Sequence, residues 1–381
     1  MGTQGSRLAP VLSSAVDTRV GARGRRWLAP LVALALAVAP AAAQNDATPV
    51  PQGPWPIKTR EHVDLWLHGY ALLAGEDTSR VPLYRAGYAD SMIVVRNRAG
   101  AYTALDSART TLIAGLRKMP QLVGAQFFAL HFGLFDELRQ TVTLTTEAKG
   151  DPRRGSGRAG QAVIALGATY FPTPEALAWA GRFTSALADE SQRVHHAEWL
   201  AGQRARTATL ARIDSLWRAR FFPALRNFVR GTQQRYGEII LSPVLEGEGR
   251  TITLDATRGP TIVVGYPDTP ARASDALYAL VHEAAATVAA RAVRENITPR
   301  QAAAGLGDRL QSAAATRAGL LVLQTALPAE AEGYARFYLR VMRLPIPATG
   351  RAVDALIAAT PLPAEIVEQM QSLIGTYYEG I

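Results

Sequence analysis

The chain has 381 residues, 48% hydrophobic and 19% charged, which excludes a disordered chain and fits a folded one of one large or two ordinary domains. With no cysteine, it cannot form disulfides, thiolate metal sites, iron–sulfur clusters or a cysteine nucleophile. The formal net charge is +9, of which +4 lies in residues 1–43; the other +5 is scattered Arg without a clustered face, so nucleic acid is not an expected partner.

At the N-terminus, "RGRRWLAPLVALALAVAPAAAQND" joins a basic stretch, an apolar run from Trp27 to about Val38 and Ala41-Ala42-Ala43. That is the pattern of a signal peptide over residues 1–43, so the protein is expected to be exported, periplasmic or secreted. The apolar run is too short for a permanent span, and no integral membrane segment is expected after cleavage. Residues 44–57 are rich in Pro and polar side chains and read as a linker.

From Lys58 the periodicity turns helical, and a helical domain is expected over 58–235. Helices are predicted at about 60–75, 83–98, 106–118, 120–131, 133–147 and 173–190, with 150–160 an exposed basic loop. Thr173, Pro174 and Glu175 form a well-signalled helix start. Residues 191–230 read as one long helix, or as two joined near Pro223. Its apolar stripe (Ile213, Leu216, Trp217, Phe221, Leu225, Phe228) suits core packing, or else a membrane surface, since Arg lines the other side.

The texture changes at Tyr236, where Ile, Val and Thr predict strands at 238–244, 250–255 and 261–265 in a small antiparallel or mixed sheet. Helices follow at about 270–295, 299–325, 328–343, 350–358 and 363–378, which makes the class α+β and predominantly helical. The 270–295 helix carries "ALYALVHEAAATVAARAV", with His282-Glu283 at its centre.

Strands, a short turn and a helix bearing Val281-His282-Glu283 resemble the active-site core of zincin metallopeptidases, specifically the gluzincin branch, over roughly residues 236–340. The resemblance implies zinc as cofactor, His282 and Glu332 as metal ligands, Glu283 as the catalytic residue, and a peptide or protein as partner. It also implies strand 261–265 at a sheet edge beside the 270–295 helix, with His282 and Glu283 lining a cleft. If His282 is sealed in a core, or the helix packs away from the sheet, the ancestry it implies fails.

The sequence departs from that pattern. Ala286 stands where the second His ligand would be, and the 299–325 helix has no Glu; the zinc site is incomplete. Tyr334 and Tyr338 are candidates for hydrogen bonding an oxyanion. The expected function is therefore a non-catalytic peptide- or protein-binding relative of metallopeptidases, with a helical envelope scaffold as the alternative and an active zinc hydrolase behind both. Elsewhere, His195-His196 with Glu198 and the run Glu61-His62-Val63-Asp64 with His68 do not converge on one helix face, and no G-x-S-x-G elbow is present.

Overall fold

A computed structural model of the chain describes residues 53–74, 79–253 and 259–379. The expected signal peptide and most of the linker lie outside the described residues. The linker's last residues are part of the fold: Trp55 is buried, and Ile57–Lys58 form a short strand, β1. Trp217 Nε1 donates to the Trp55 carbonyl at 3.0 Å, which ties this segment to the interior.

Helices α1 (Glu61–Ala74), α2 (Tyr88–Ala99) and α3 (Ala104–Lys118) come first, followed by a 3-10 stretch at Pro120–His131. Then come α4 (Phe135–Glu147), α5 (Gly157–Tyr170) and α6 (Pro174–Glu190). Helix α5 was expected as part loop, because its three glycines weaken the helical signal. One of them is needed for packing: a Cβ on Gly167 would stand 2.1 Å from Thr145 Oγ1 of α4.

The 191–230 segment is neither a single helix nor simply two. A π turn at Ser191–His195 leads into α7 (His196–Ala205), and α8 (Thr207–Leu216) passes through a second π turn, Trp217–Phe221, into α9 (Phe222–Gly231). Pro223 has no N–H to give back to the preceding turn, and the widened turn just before it absorbs that loss without ending the helix. The interruption falls at Arg206 instead. Ile213, Trp217, Phe221, Leu225 and Phe228 are all buried, so the stripe serves core packing and not a membrane surface.

Strands β2 (Glu238–Ser242), β3 (Arg250–Thr253) and β4 (Pro260–Gly265) complete a four-stranded mixed sheet in the order β1-β2-β4-β3. The β1–β2 and β2–β4 pairs are parallel, and β3 runs antiparallel along β4 at the edge. Every residue of β4 is buried, as expected of a strand covered on both faces. The sheet divides two apolar cores: Ile240, Val244, Leu245 and Val263 face the helices before residue 206, while Ile239, Leu241, Ile262 and Val264 face α10 (Ala273–Glu295). Helices α8 and α9 belong to this second core.

Beyond α10 come α11 (Pro299–Ala303), α12 (Leu306–Ala326), α13 (Ala331–Val341), α14 (Ala352–Ala359) and α15 (Ala364–Glu379). The predicted 299–325 helix is split at Gly305, whose φ of +74° suits a left-handed helix cap. The whole is α+β and predominantly helical. Among the described residues, no helix is long and apolar enough to cross a membrane.

Candidate metal centre around His282

Small side chains place α10 close to its neighbours. Ala276, Ala279, Ala285, Ala289 and Ala292 are fully or almost fully buried, which lets the helix backbone approach the sheet and α12. His282 and Glu283, being consecutive, leave the helix in directions about 100° apart. They are nonetheless brought to one cluster by a third residue, Glu248, from the β2–β3 turn. Ligand-type atoms of Glu248, His282 and Glu283 all lie within 4.8 Å of one another.

The turn carrying Glu248 is fixed from several sides. The backbone N–H groups of Gly247 and Glu248 both donate to the Pro82 carbonyl, at 3.2 and 3.3 Å. Tyr338 of α13 donates its hydroxyl to the Gly247 carbonyl at 3.1 Å. Gly249 must remain glycine, because a Cβ there would lie 2.3 Å from the Val263 carbonyl oxygen. Glu283 accepts the Gly249 N–H at 3.0 Å and faces the Thr251 hydroxyl at 3.5 Å, so it holds the beginning of the edge strand.

His282 is 1% exposed, and its ring stacks on Tyr338 with centroids 5.1 Å apart. Its Nε2 lies 3.4 Å from Glu248 Oε2, long for a charge-assisted hydrogen bond, and Nδ1 has no partner. Ser312 of α12 donates to the other Glu248 oxygen at 3.2 Å. Burial works to lower the His282 pKa, but the charge and hydrogen bond of Glu248, with the charge of Glu283, bring it above the ordinary imidazole value. Burial, reinforced by the Glu248 charge, raises the Glu283 pKa against the pull of His282 and Arg250.

Several expectations from the resemblance are corrected here. Strand β4 lies one position in from the edge, because β3 turns back and takes the edge. His282 does not line a cleft; it is covered by Tyr338 and the Glu248 turn. Glu332 does not join His282. One of its oxygens accepts from Arg336 Nε at 3.2 Å and from the Gly350 and Ala352 N–H groups at 3.0 and 3.4 Å, tying the loop before α14 to α13. Ala286 is partly buried against the core and offers no ligand. The expected packing of the helix alongside the sheet is present, with α10 against β4.

Glu248 was missed because "EGEG" at 246–249 reads as a turn whatever its acidic side chains reach. The one available signal was a carboxylate in a tight turn that feeds the strand ahead of the His-Glu helix. None of the other five histidines joins the cluster. His62 faces the Phe132 carbonyl at 2.9 Å, His131 the Tyr170 hydroxyl at 2.7 Å and His196 the Glu61 carboxylate at 2.8 Å.

A second buried polar group lies among the N-terminal helices and was not foreseen. Glu190, wholly buried at the end of α6, meets His68 Nε2 at 3.1 Å, the Thr103 hydroxyl at 2.7 Å and Arg96 at 2.8 Å. His195, in the π turn that follows, sits 5.1 Å ring to ring from His68. Burial opposes charge on Glu190, but His68, Thr103 and Arg96 outweigh it and hold the carboxyl down at about 2. Burial lowers the His68 pKa, so we place the negative charge on Glu190, balanced by Arg96, and take His68 as a neutral donor.

Comparison with protein-family models, with curated proteins and with solved structures finds no match to this chain.

Proposed function

We propose that this is an exported, non-catalytic peptide- or protein-binding protein whose C-terminal half shares the element order of a zincin but not its edge strand or open cleft. One observation carries the non-catalytic reading: His282 is 1% exposed, and Glu283, the residue a hydrolase would use as its base, is held by the Gly249 N–H. A general base must reach the water it activates, and a carboxylate pinned to an edge strand beneath a closed turn does not. The zincin-like frame is supported by the order of sheet, short turn and helix, and by α10 lying against β4.

The sealing of His282 and the inner position of β4 favour a second reading, a helical envelope scaffold with no catalytic ancestry. The two differ in how the 246–250 turn behaves. A binding protein of zincin descent opens that turn to admit a peptide, and amide hydrogen exchange at 246–253 then changes on addition of an extended peptide library. In a scaffold those amides stay protected throughout. Export itself is tested by N-terminal sequencing of the mature protein, which is expected to begin at Gln44.

A further inference from the structure

We infer that Glu248, His282 and Glu283 form a site for a zinc-class divalent cation in which Glu283 is a ligand and not a base. This rests on the non-catalytic reading above and deepens it. The ion would be structural, holding the β2–β3 turn on α10, so that peptide-dependent opening of the turn is expected of the metal-free protein.

The donors are one imidazole nitrogen and two carboxylates, a set suited to a borderline divalent ion. Donors about 2.0–2.2 Å from a tetrahedral ion stand roughly 3.4 Å from each other. His282 Nε2 and Glu248 Oε2 are already 3.4 Å apart, and the remaining spacings within the triad are no more than 4.8 Å. Small side-chain rotations close the difference.

Two further observations set this cluster apart from an ordinary ion pair. The first is that each carboxylate is oriented from outside, Glu248 by the Ser312 hydroxyl and Glu283 by the Gly249 N–H. Outer partners of this kind aim metal ligands. The second is that His282, 1% exposed, makes only a long contact to a carboxylate through Nε2 and has no partner at Nδ1. The Glu248 side chain keeps 26% of its surface exposed, which gives an ion a way in. The ligand set differs from what the zincin resemblance implies, since Glu248 and Glu283 take the places of the missing second His and Glu332.

The test is equilibrium dialysis of the chain from Gln44 against Zn²⁺, Mn²⁺ and Ca²⁺, with metal content measured by mass spectrometry. One Zn²⁺ per chain is expected, with affinity falling at least tenfold in Glu248→Gln and His282→Ala and unchanged in Glu332→Gln. Because Glu248 is partly exposed, Glu248→Gln should fold, and circular dichroism with the metal-free melting temperature checks this. Zinc should raise the melting temperature of the wild type but not of Glu248→Gln. Absence of saturable binding, or binding unaltered in Glu248→Gln, overturns the inference. Peptide hydrolysis by the loaded protein would instead overturn the non-catalytic reading, so the two failures are distinguishable.

Discussion

The carboxylate of Glu283 accepts the backbone N–H of Gly249 at 3.0 Å, joining the middle of α10 to the first residue before the edge strand. A residue that the sequence suggests as a catalytic base is, in the fold, a fastener between a helix and a sheet. Truncating it leaves a buried N–H without a partner, at a cost of about 1–3 kcal/mol. Glu283→Ala should therefore lower the unfolding free energy by about that amount in urea titration. Glu283→Gln keeps a carbonyl oxygen for Gly249 and should cost no more than about 1 kcal/mol. A glutamine variant less stable than the alanine one would contradict this role.

Asp64 gives a pH-dependent counterpart. It is wholly buried on α1, with Trp199 Nε1 donating to one oxygen at 2.8 Å and the Ser242 side chain also beside the carboxyl. Burial raises its pKa to about 7, against the Ser242 and Trp199 hydrogen bonds and the Arg206 charge. The folded value lies above the unfolded one, so its contribution is fully present below about pH 4 and is lost as the pH rises through 7. Each pKa unit corresponds to about 1.4 kcal/mol, which makes several kcal/mol the ceiling. Asp64→Asn is expected to raise stability by ~1–3 kcal/mol at pH 8 and to change it little at pH 4. Melting temperatures across that range decide the matter; a variant that gains nothing at pH 8 would show Asp64 ionised at no cost.

Glu190 has the opposite sign. Its folded pKa, about 2, lies below the unfolded value, so its stabilisation is present above about pH 4.5 and is lost as the pH falls through 2. Removing it leaves His68 Nε2 without its partner and takes from Arg96 and Thr103 one of two carboxylates, Asp106 remaining to both. Glu190→Ala should cost about 1–3 kcal/mol at pH 7, since His68 is left unsatisfied while Arg96 keeps Asp106. The difference from wild type should shrink as the pH is lowered towards 2, and a constant difference would contradict the assignment.

These residues mark how far the sequence could be read. The strands at 238–242, 250–253 and 260–265 and the long α10 were legible, because β-branched runs and Ala/Leu periodicity are local signals. Helix α5 was obscured by three glycines, one of which, Gly167, makes room for Thr145 of α4. The site was half legible: His282 and Glu283 announce themselves, whereas Glu248 joins them only through the pairing of β3 with β4. Glu332 looked suitable by chain order alone, but the unsatisfied N–H groups of Gly350 and Ala352 claim its oxygen. The His68–Glu190–His195 group has no local signature at all, since it depends on how α1 meets α6.

Two glycines offer a paired test of the turn. At Gly249 a methyl group would lie 2.3 Å from the Val263 carbonyl, where backbone has no room to yield. Gly249→Ala should cost at least about 1–3 kcal/mol and loosen β3, visible as faster amide exchange at 250–253. At Gly181, within α6, nothing lies within 4 Å of the added atom. Gly181→Ala should instead stabilise by about 0.5–1 kcal/mol through helix propensity. Equal effects at both positions would contradict the packing described for the turn.

The most direct test of the central claim is hydrolysis itself. The chain from Gln44 is incubated with a fluorogenic peptide library and saturating Zn²⁺, beside its Glu283→Ala and His282→Ala variants. The closed site predicts that all three release fluorophore at the same background rate. Zinc-dependent turnover in the wild type, abolished in both variants, would contradict the account.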